Sequence, residues 1–557
     1  MSFLLKINNI SRLFFLLSIL FFFNANSNQI IFEEVGTSNR LKSEFLSEFN
    51  IENGNSERWR NVFSEKSFEQ IDSFFKSLPV KNLDEVFQNL IFEILVSKKN
   101  FNRNGVSPKQ DKIVFETLIN KLFETGRLNE IELIYSQSTE LENNNFILKR
   151  MIEGNLLRNR HSEACKILSK AKEDPMFFGK VMIICDIINN SFEEAKLGLQ
   201  LLKEQNQPGD IFFIDLAFSL MSDKDITDSD DLKRNLDQIK ELNPIIMSSL
   251  QFADISPNSE QIENLTTSGL LFILSNPSVD TELKIFCSEI LVKQGRISVE
   301  MLSEAYQLAS FNSKEIEGAE KLYKTLSPIR ARPLLYQSII RDNRPESKFR
   351  KIVSLIKLSA KDNLLPKIAY LIGDLMKLDE YVETHEDALL ISQMYQSKKR
   401  YEKARNILKK NFKSPESDYR SIAIDISEFM HKKNIDYYSL EQKLASLNKI
   451  KEMDSMFLKK VLMVLIGNID LNQSLIDQLL TISLDESNKS SDLKDLLLAE
   501  RLSSSKDFFN SFTLLFKIVE NKDFIQLNLI KSYAVLLILR NLGFMDEFKK
   551  LSEKILL

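Results

Sequence analysis

The sequence predicts an all-α protein, a curved α-solenoid of antiparallel helical hairpins. Three observations predict it. The 557 residues include only 14 Gly and 12 Pro, so long stretches run without a strong helix breaker. Apolar residues recur at helical spacing in segments of roughly ten to sixteen residues separated by short polar connections, the pattern of helices that pack antiparallel on their neighbours. A short unit built on a small alanine also recurs, with a proline opening the helix that follows. A chain this long exceeds the size at which one compact core keeps growing, which an extended array accommodates.

The first residues carry an export pattern. Lys6 and Arg12 precede an apolar run from Leu13 to Phe23, broken by Ser18, and the small residues Ala25 and Ser27 follow. This reads as a cleaved signal peptide over residues 1–27. The run falls short of the roughly twenty residues that cross a bilayer as a helix. Without this segment the formal net charge moves from -4 to -6. The expected location is outside the cytoplasm, the periplasm in a double-membrane bacterium.

Residues 28–61 are polar and weakly patterned and read as a loose lead-in. Residues 62–328 read as a first solenoid arm, with helices expected over Leu83–Val96, Lys112–Glu124, Asn129–Ser136, Phe146–Leu157, Leu270–Leu274, Thr281–Lys293, Val299–Ala309 and Glu315–Leu326. The proline- and arginine-rich segment 329–346 reads as a hinge. Residues 347–490 read as a second, basic arm: over 331–460 there are 26 Lys and Arg against 18 Asp and Glu, an excess of +8 in an acidic chain. Residues 491–557 read as a helical cap, with Leu527 to Leu542 as a buried helix and Phe508, Phe509, Phe512 and Phe516 as seam packing. Softer connections are expected near Ser222–Asp231 and Ser487–Ser491.

The repeating unit is clearest in three places. His161-Ser162-Glu163-Ala164-Cys165-Lys166-Ile167-Leu168 precedes Pro175, Phe192-Glu193-Glu194-Ala195-Lys196-Leu197 precedes Pro208, and Tyr401-Glu402-Lys403-Ala404-Arg405-Asn406-Ile407-Leu408 precedes Pro415. In each, a small alanine admits a neighbouring helix and an apolar residue one turn on fills the seam. These segments resemble tetratricopeptide repeats, most clearly over about 145–222 and 385–431, although Met182, Cys185 and Ile188 stand where regular repeats carry aromatics and glycine. The resemblance implies stacked helical hairpins with an inner face that binds a protein or peptide.

Little points to chemistry. Cys165, Cys185 and Cys287 are too few for a disulfide-held fold and form no close metal-binding pair. Cys165 and Cys185, on neighbouring helices, can bond in an exported protein, but buried thiols are the favoured reading. His161, His385 and His431 sit in no nucleophile–base setting, and the zinc, phosphate-loop and dinucleotide patterns are missing. No catalytic residue, metal or cofactor is therefore assigned. The style of the chain is similar to the ring-forming arm of soluble lytic transglycosylases, but Ser288-Glu289, Ser303-Glu304 and Ser552-Glu553 reverse that family's Glu-Ser order.

The expected function is a non-catalytic scaffold or adaptor that binds another cell-envelope protein. The alternatives are a peptidoglycan-remodelling lyase or hydrolase, and a structural subunit of an envelope assembly. Lys398, Lys399, Arg400, Lys409 and Lys410 form the candidate interaction patch, suited to a protein partner or to an anionic membrane or polymer surface; nucleic acid is not expected.

Overall fold

The computed structural model describes residues 56–431 apart from 98, 102–106, 138–140, 142–143, 172–174, 206–209, 223–229, 240, 373–374 and 412–414, then residue 464, then 490–557 apart from 521. The segment read as an export signal, most of the lead-in, residues 223–229 of the connection after Ser222, residues 432–463 and 465–489 of the basic arm, and with them residues 487–489 of the softer boundary, lie outside the described residues. Among those described there are 27 α-helices and no strand.

Local sequence explains where helices start. Ser67 accepts from the Gln70 amide while the Gln70 side chain accepts from Ser67, and Ser107 with Gln110, Asn258 with Gln261 and Asn312 with Glu315 repeat this reciprocal cap. Each satisfies two otherwise orphaned amides. Pro108, Pro244, Pro328 and Pro345 occupy first helical turns, where their missing N–H costs nothing.

One device ends many helices. Gly126, Asn159, Asn190, Asp254, Gly295, Asn363, Lys399, Lys506 and Gly543 all have positive φ. After each, the next residue's N–H reaches back to the carbonyl five positions earlier at 2.8–3.0 Å, as in Arg127 to Leu122 and Arg400 to Tyr395. This closes the helix in a Schellman turn, a left-handed position that glycine and asparagine occupy readily. In seven of the nine the next helix opens two residues later. In those seven, the residue five places after the left-handed one is buried: Ile131, Ala164, Ala195, Ile368, Ala404, Ser511 and Phe548. The alanine units are three members of this wider class, in which the turn fixes the register of the inward face.

Consecutive helices pack on one another, and several also pack on the next but one: Pro108–Glu124 on Asn145–Leu157, Pro345–Ala360 on His385–Ser397, and His385–Ser397 on Pro415–His431. Contacts also join distant parts of the chain. Phe68–Ser77 packs on Phe508–Val519, and Glu85–Val96 on Met545–Leu556. Fully buried Trp59 lies 4.7 Å from the Phe512 ring and 5.5 Å from Phe544, while Phe63 meets Phe74, Phe75 and Phe509. Arg58 adds ion pairs to Glu93 at 3.0 Å and Glu547 at 3.4 Å. One apolar cluster consequently runs from Trp59 to Leu551. A separate one, from Ile152 to Ile245, gathers the helices between His161 and Leu220.

Several expectations change. Residues 56–61, read as the end of a loose lead-in, include a 3₁₀ turn over Ser56–Trp59 that places Trp59 in the main core. The segment 329–346, read as a hinge, carries a helix over Pro328–Arg341, and the next helix already begins at Pro345. Pro333 forgoes one helical hydrogen bond there, but Arg332 is buried and donates from Nε to Glu289 at 2.7 Å, tying the helix to its neighbour. The helix expected over Glu315–Leu326 is divided at Gly318 into Ser313–Glu317 and Ala319–Leu322, followed by a 3₁₀ turn. Cys165 and Cys185, read as free thiols, form a disulfide, because the hairpin brings their Cα atoms to 5.8 Å. Cys287 is a buried free thiol whose pKa burial pushes up to about 12.

Candidate functional site

The long-range closure creates a cavity of about 210 Å³ where the start of Glu85–Val96, the end of His385–Ser397 and the helix Met545–Leu556 meet. Its charged lining comprises Asp84, Glu85, Lys399, Lys550, Glu553 and Lys554. Asp84 is placed by its local role: as N-cap it accepts from the Val86 amide at 2.8 Å, and its other oxygen pairs with Lys554. Glu85 pairs with Lys367 at 2.8 Å. Glu553 accepts from the Tyr401 hydroxyl at 3.1 Å and contacts His431 Nε2, so one carboxylate gathers two helices of the basic region. Burial first, and then Glu553, raise the Tyr401 phenol pKa well beyond its ordinary value.

All three acids are thus matched, and two cations are left over. Among the described residues no carboxylate pairs with Lys399 or Lys550. Lys399 is further distinguished by its left-handed backbone, φ 58°, which costs a side chain other than glycine or asparagine about 1–2 kcal/mol. The arrangement can receive an anionic group at its rim.

The candidate patch is divided by the fold. Lys398 closes the helix His385–Ser397, with its ammonium 5.8 Å from the Tyr370 ring centre. Lys399 lines the cavity, and Arg400 forms the turn into Tyr401–Asn411. Lys409 is exposed on that second helix, and the Lys410 side chain lies outside the described residues. Lys550, Lys554 and Asp84 carried no sequence signal, because the Asp84–Lys554 pair joins residues 470 positions apart.

Several described groups with catalytic potential are engaged structurally. Burial raises the Glu289 pKa, but Glu289 Oε1 accepts from Arg332 Nε at 2.7 Å and from the Tyr306 hydroxyl at 2.8 Å, and Oε2 also accepts from Arg332. That leaves a buried ion pair rather than a proton donor facing a substrate. Burial opposes ionisation of Asp342, yet Arg344, Lys351 and Ser347 together hold its carboxyl well below the usual range. It borders a second cavity, of about 300 Å³, that Lys348, Lys377 and Tyr381 help to line. His161 Nε2 lies 3.1 Å from Ser248 Oγ, a contact the sequence did not reveal, but Ser248 is fully buried and out of a substrate's reach. Burial lowers the His161 pKa. His385 opens the helix after the Thr384 cap.

Among the described residues no group of three or more His, Cys, Asp or Glu is placed to hold a metal ion, and no helix is long and apolar enough to cross a membrane. Comparisons with family models, curated proteins and solved structures find no match to this chain.

Proposed function

We propose that the chain is an exported, non-catalytic α-solenoid scaffold of tetratricopeptide-like hairpins that holds another cell-envelope protein through an apolar segment of that partner. The observation that carries this reading is the surface of the disulfide-tied hairpins. Met176 and Met182 on Pro175–Ile188, Leu197 and Leu201 on Phe192–Glu204, and Ile211 and Phe218 on Ile211–Leu220 are exposed, Leu197 at 60% and Ile211 at 58%. Leu197 and Leu201 share one helix face by their four-residue spacing. Large apolar side chains gathered on adjacent helices mark surfaces that other proteins cover. Packing on the next helix and the next but one supports the solenoid reading, and the Cys165–Cys185 bond supports an oxidising compartment.

The test places a photo-crosslinking residue at Leu197 or Leu201 in the native envelope, alongside the exposed control Lys506. Adducts at the two leucines that are missing at the control, and that are lost on Ile211→Asp, are expected. Equal labelling at all three positions overturns the apolar-docking reading. Incubation of the pure protein with peptidoglycan tests the rival class: muropeptides released in proportion to protein would establish an enzyme instead.

A further inference from the structure

Two of the helix-ending turns bring like charges together. Gly126-Arg127 follows Pro108–Glu124, and Gly295-Arg296 follows Thr281–Lys293. Both glycines have positive φ, at 73° and 67°, and both arginine amides close the turn at 2.8 Å. The two turns face each other, because Arg296 Nη2 donates to the Gly126 carbonyl at 3.0 Å. A Cβ on Gly126 would stand 3.0 Å from Leu271 Cδ1, so both the backbone conformation and the crowding favour glycine there. Arg127 rests over the Phe92 ring with its guanidinium carbon 3.6 Å from the ring centre. Both arginines are partly buried, and Arg296 Nε is buried without a hydrogen-bond partner.

The usual compensation is missing. Among the described residues neither arginine has a carboxylate within salt-bridge distance, and Glu130 acts on both only through its field. Burial, followed by the charge of Arg296, lowers the Arg127 pKa to about 10, and burial lowers that of Arg296. Two desolvated, neighbouring guanidiniums repel each other unless an anion lies between them. Their fork geometry matches a tetrahedral oxyanion, and a dianion balances both charges where a single carboxylate balances one.

We propose that Arg127 and Arg296 form a binding site for a phosphate group, built by the meeting of two Gly-Arg turns. The group can be free phosphate or the head of a phosphorylated lipid, since both present the same oxygens. The site is distinct from the apolar surface of the hairpins and stands or falls independently of it.

The experiment follows the thermal midpoint of the full-length protein against inorganic phosphate, with chloride at matched ionic strength as the reference. A saturable rise with phosphate, and at least a tenfold weaker apparent affinity in Arg296→Gln and in Arg127→Gln, is expected. Arg296→Lys keeps the charge but loses the fork, so it should fall between wild type and Arg296→Gln. Circular dichroism at 222 nm establishes that each variant is folded before its titration is read; should one glutamine variant fail to fold, the other and Arg296→Lys carry the comparison. Flotation with vesicles containing phosphatidic acid, against phosphatidylcholine alone, distinguishes the sources: co-flotation that the glutamine variants lose indicates a headgroup, and a soluble-phosphate response without flotation indicates the free ion. Equal midpoints in phosphate and chloride together with no flotation, or a phosphate response unchanged in the glutamine variants, overturns the proposal.

Discussion

The two apolar clusters are held together in different ways. The larger one joins residues far apart in sequence: Trp59 meets Phe512 and Phe544, Phe74 meets Phe509 and Phe516, and Arg58 bridges Glu93 and Glu547. The smaller one, from Ile152 to Ile245, is drawn from one stretch of the chain, is closed by Pro244–Phe252 packing back on Asn145–Leu157, and is tied covalently by Cys165–Cys185. Its helices also carry many exposed apolar side chains. A region with fewer buried side chains of its own gains cohesion from a bond that is independent of burial, while the larger cluster holds itself by ring packing and paired charge.

The largest effect should come from cutting the long-range contact. Trp59→Ala removes a fully buried indole, a change worth about 3–5 kcal/mol in a close-packed core. An unfolding free energy from chemical denaturation that falls by less than a quarter of that would show the ring contacts to be incidental. Replacing both bonded cysteines by serine should cost about 3 kcal/mol on the loop-entropy argument. The cost should appear first as faster amide exchange between residues 161 and 220, with the amides around Trp59 unaffected. Simultaneous loss of protection in both regions would mean that the two clusters are one cooperative unit.

A third test concerns pH. Burial lowers the Lys99 pKa to about 7, although its ammonium donates to the Ser97 carbonyl at 2.8 Å and lies 5.9 Å from the Phe75 ring centre. The unfolded chain binds this proton more tightly than the folded one, so the penalty is full below about pH 7 and fades as pH rises toward the ordinary lysine value. Lys99→Met should therefore stabilise the protein more at pH 6.5 than at pH 9.5 in matched denaturant titrations. An equal effect at both would mean that the ammonium is solvated.

The smallest effect is expected at the turns. Lys399→Gly removes a left-handed lysine and should raise stability by up to about 1 kcal/mol, since glycine's extra freedom in the unfolded chain offsets part of the gain. The same change at Asn190 should give almost nothing. A gain at Asn190 equal to that at Lys399 would remove the argument that lysine is strained there. Substituting Lys398, Lys399, Arg400, Lys409 and Lys410 by Gln should weaken partner capture at low salt more than at physiological salt, where exposed charge is screened over about 8 Å; salt-independent loss would point to packing instead.

Helix content was legible because its determinants are local. Thr281–Lys293 falls where apolar periodicity placed it, with Asp280 as cap, and Pro175 and Pro415 open helices as read. The hinge read over 329–346 rested on its prolines and arginines, whose local roles the sequence did not reveal: Pro333 sits inside a helix, Pro345 in a first turn, and Arg332 turns inward to Glu289. The disulfide was visible as an opportunity but not as a distance. The junction cavity was not legible at all: Lys399 stood out in a basic run, whereas Asp84 and Lys554 acquire meaning only when helices nearly the whole chain apart are brought together. The facing Gly-Arg turns lay in plain view as two short identical dipeptides, and only their mutual approach gives them significance.

The distance in sequence between Arg58 and Glu547, 489 residues, also bears on how the molecule comes into being. A ribosome makes Trp59, Phe63 and Phe74 long before Phe509, Phe512 and Phe544, so the early aromatic hairpins must wait with one side uncovered. Loop closure over such a span is slow to reward the contacts it requires, and exposed rings invite aggregation meanwhile. The hairpins between His161 and Leu220, whose helices pack mainly on their next neighbours in the chain, can form during that interval. Refolding from denaturant should accordingly proceed in two phases, with the indole of Trp59, the chain's single tryptophan, reporting the later one by fluorescence.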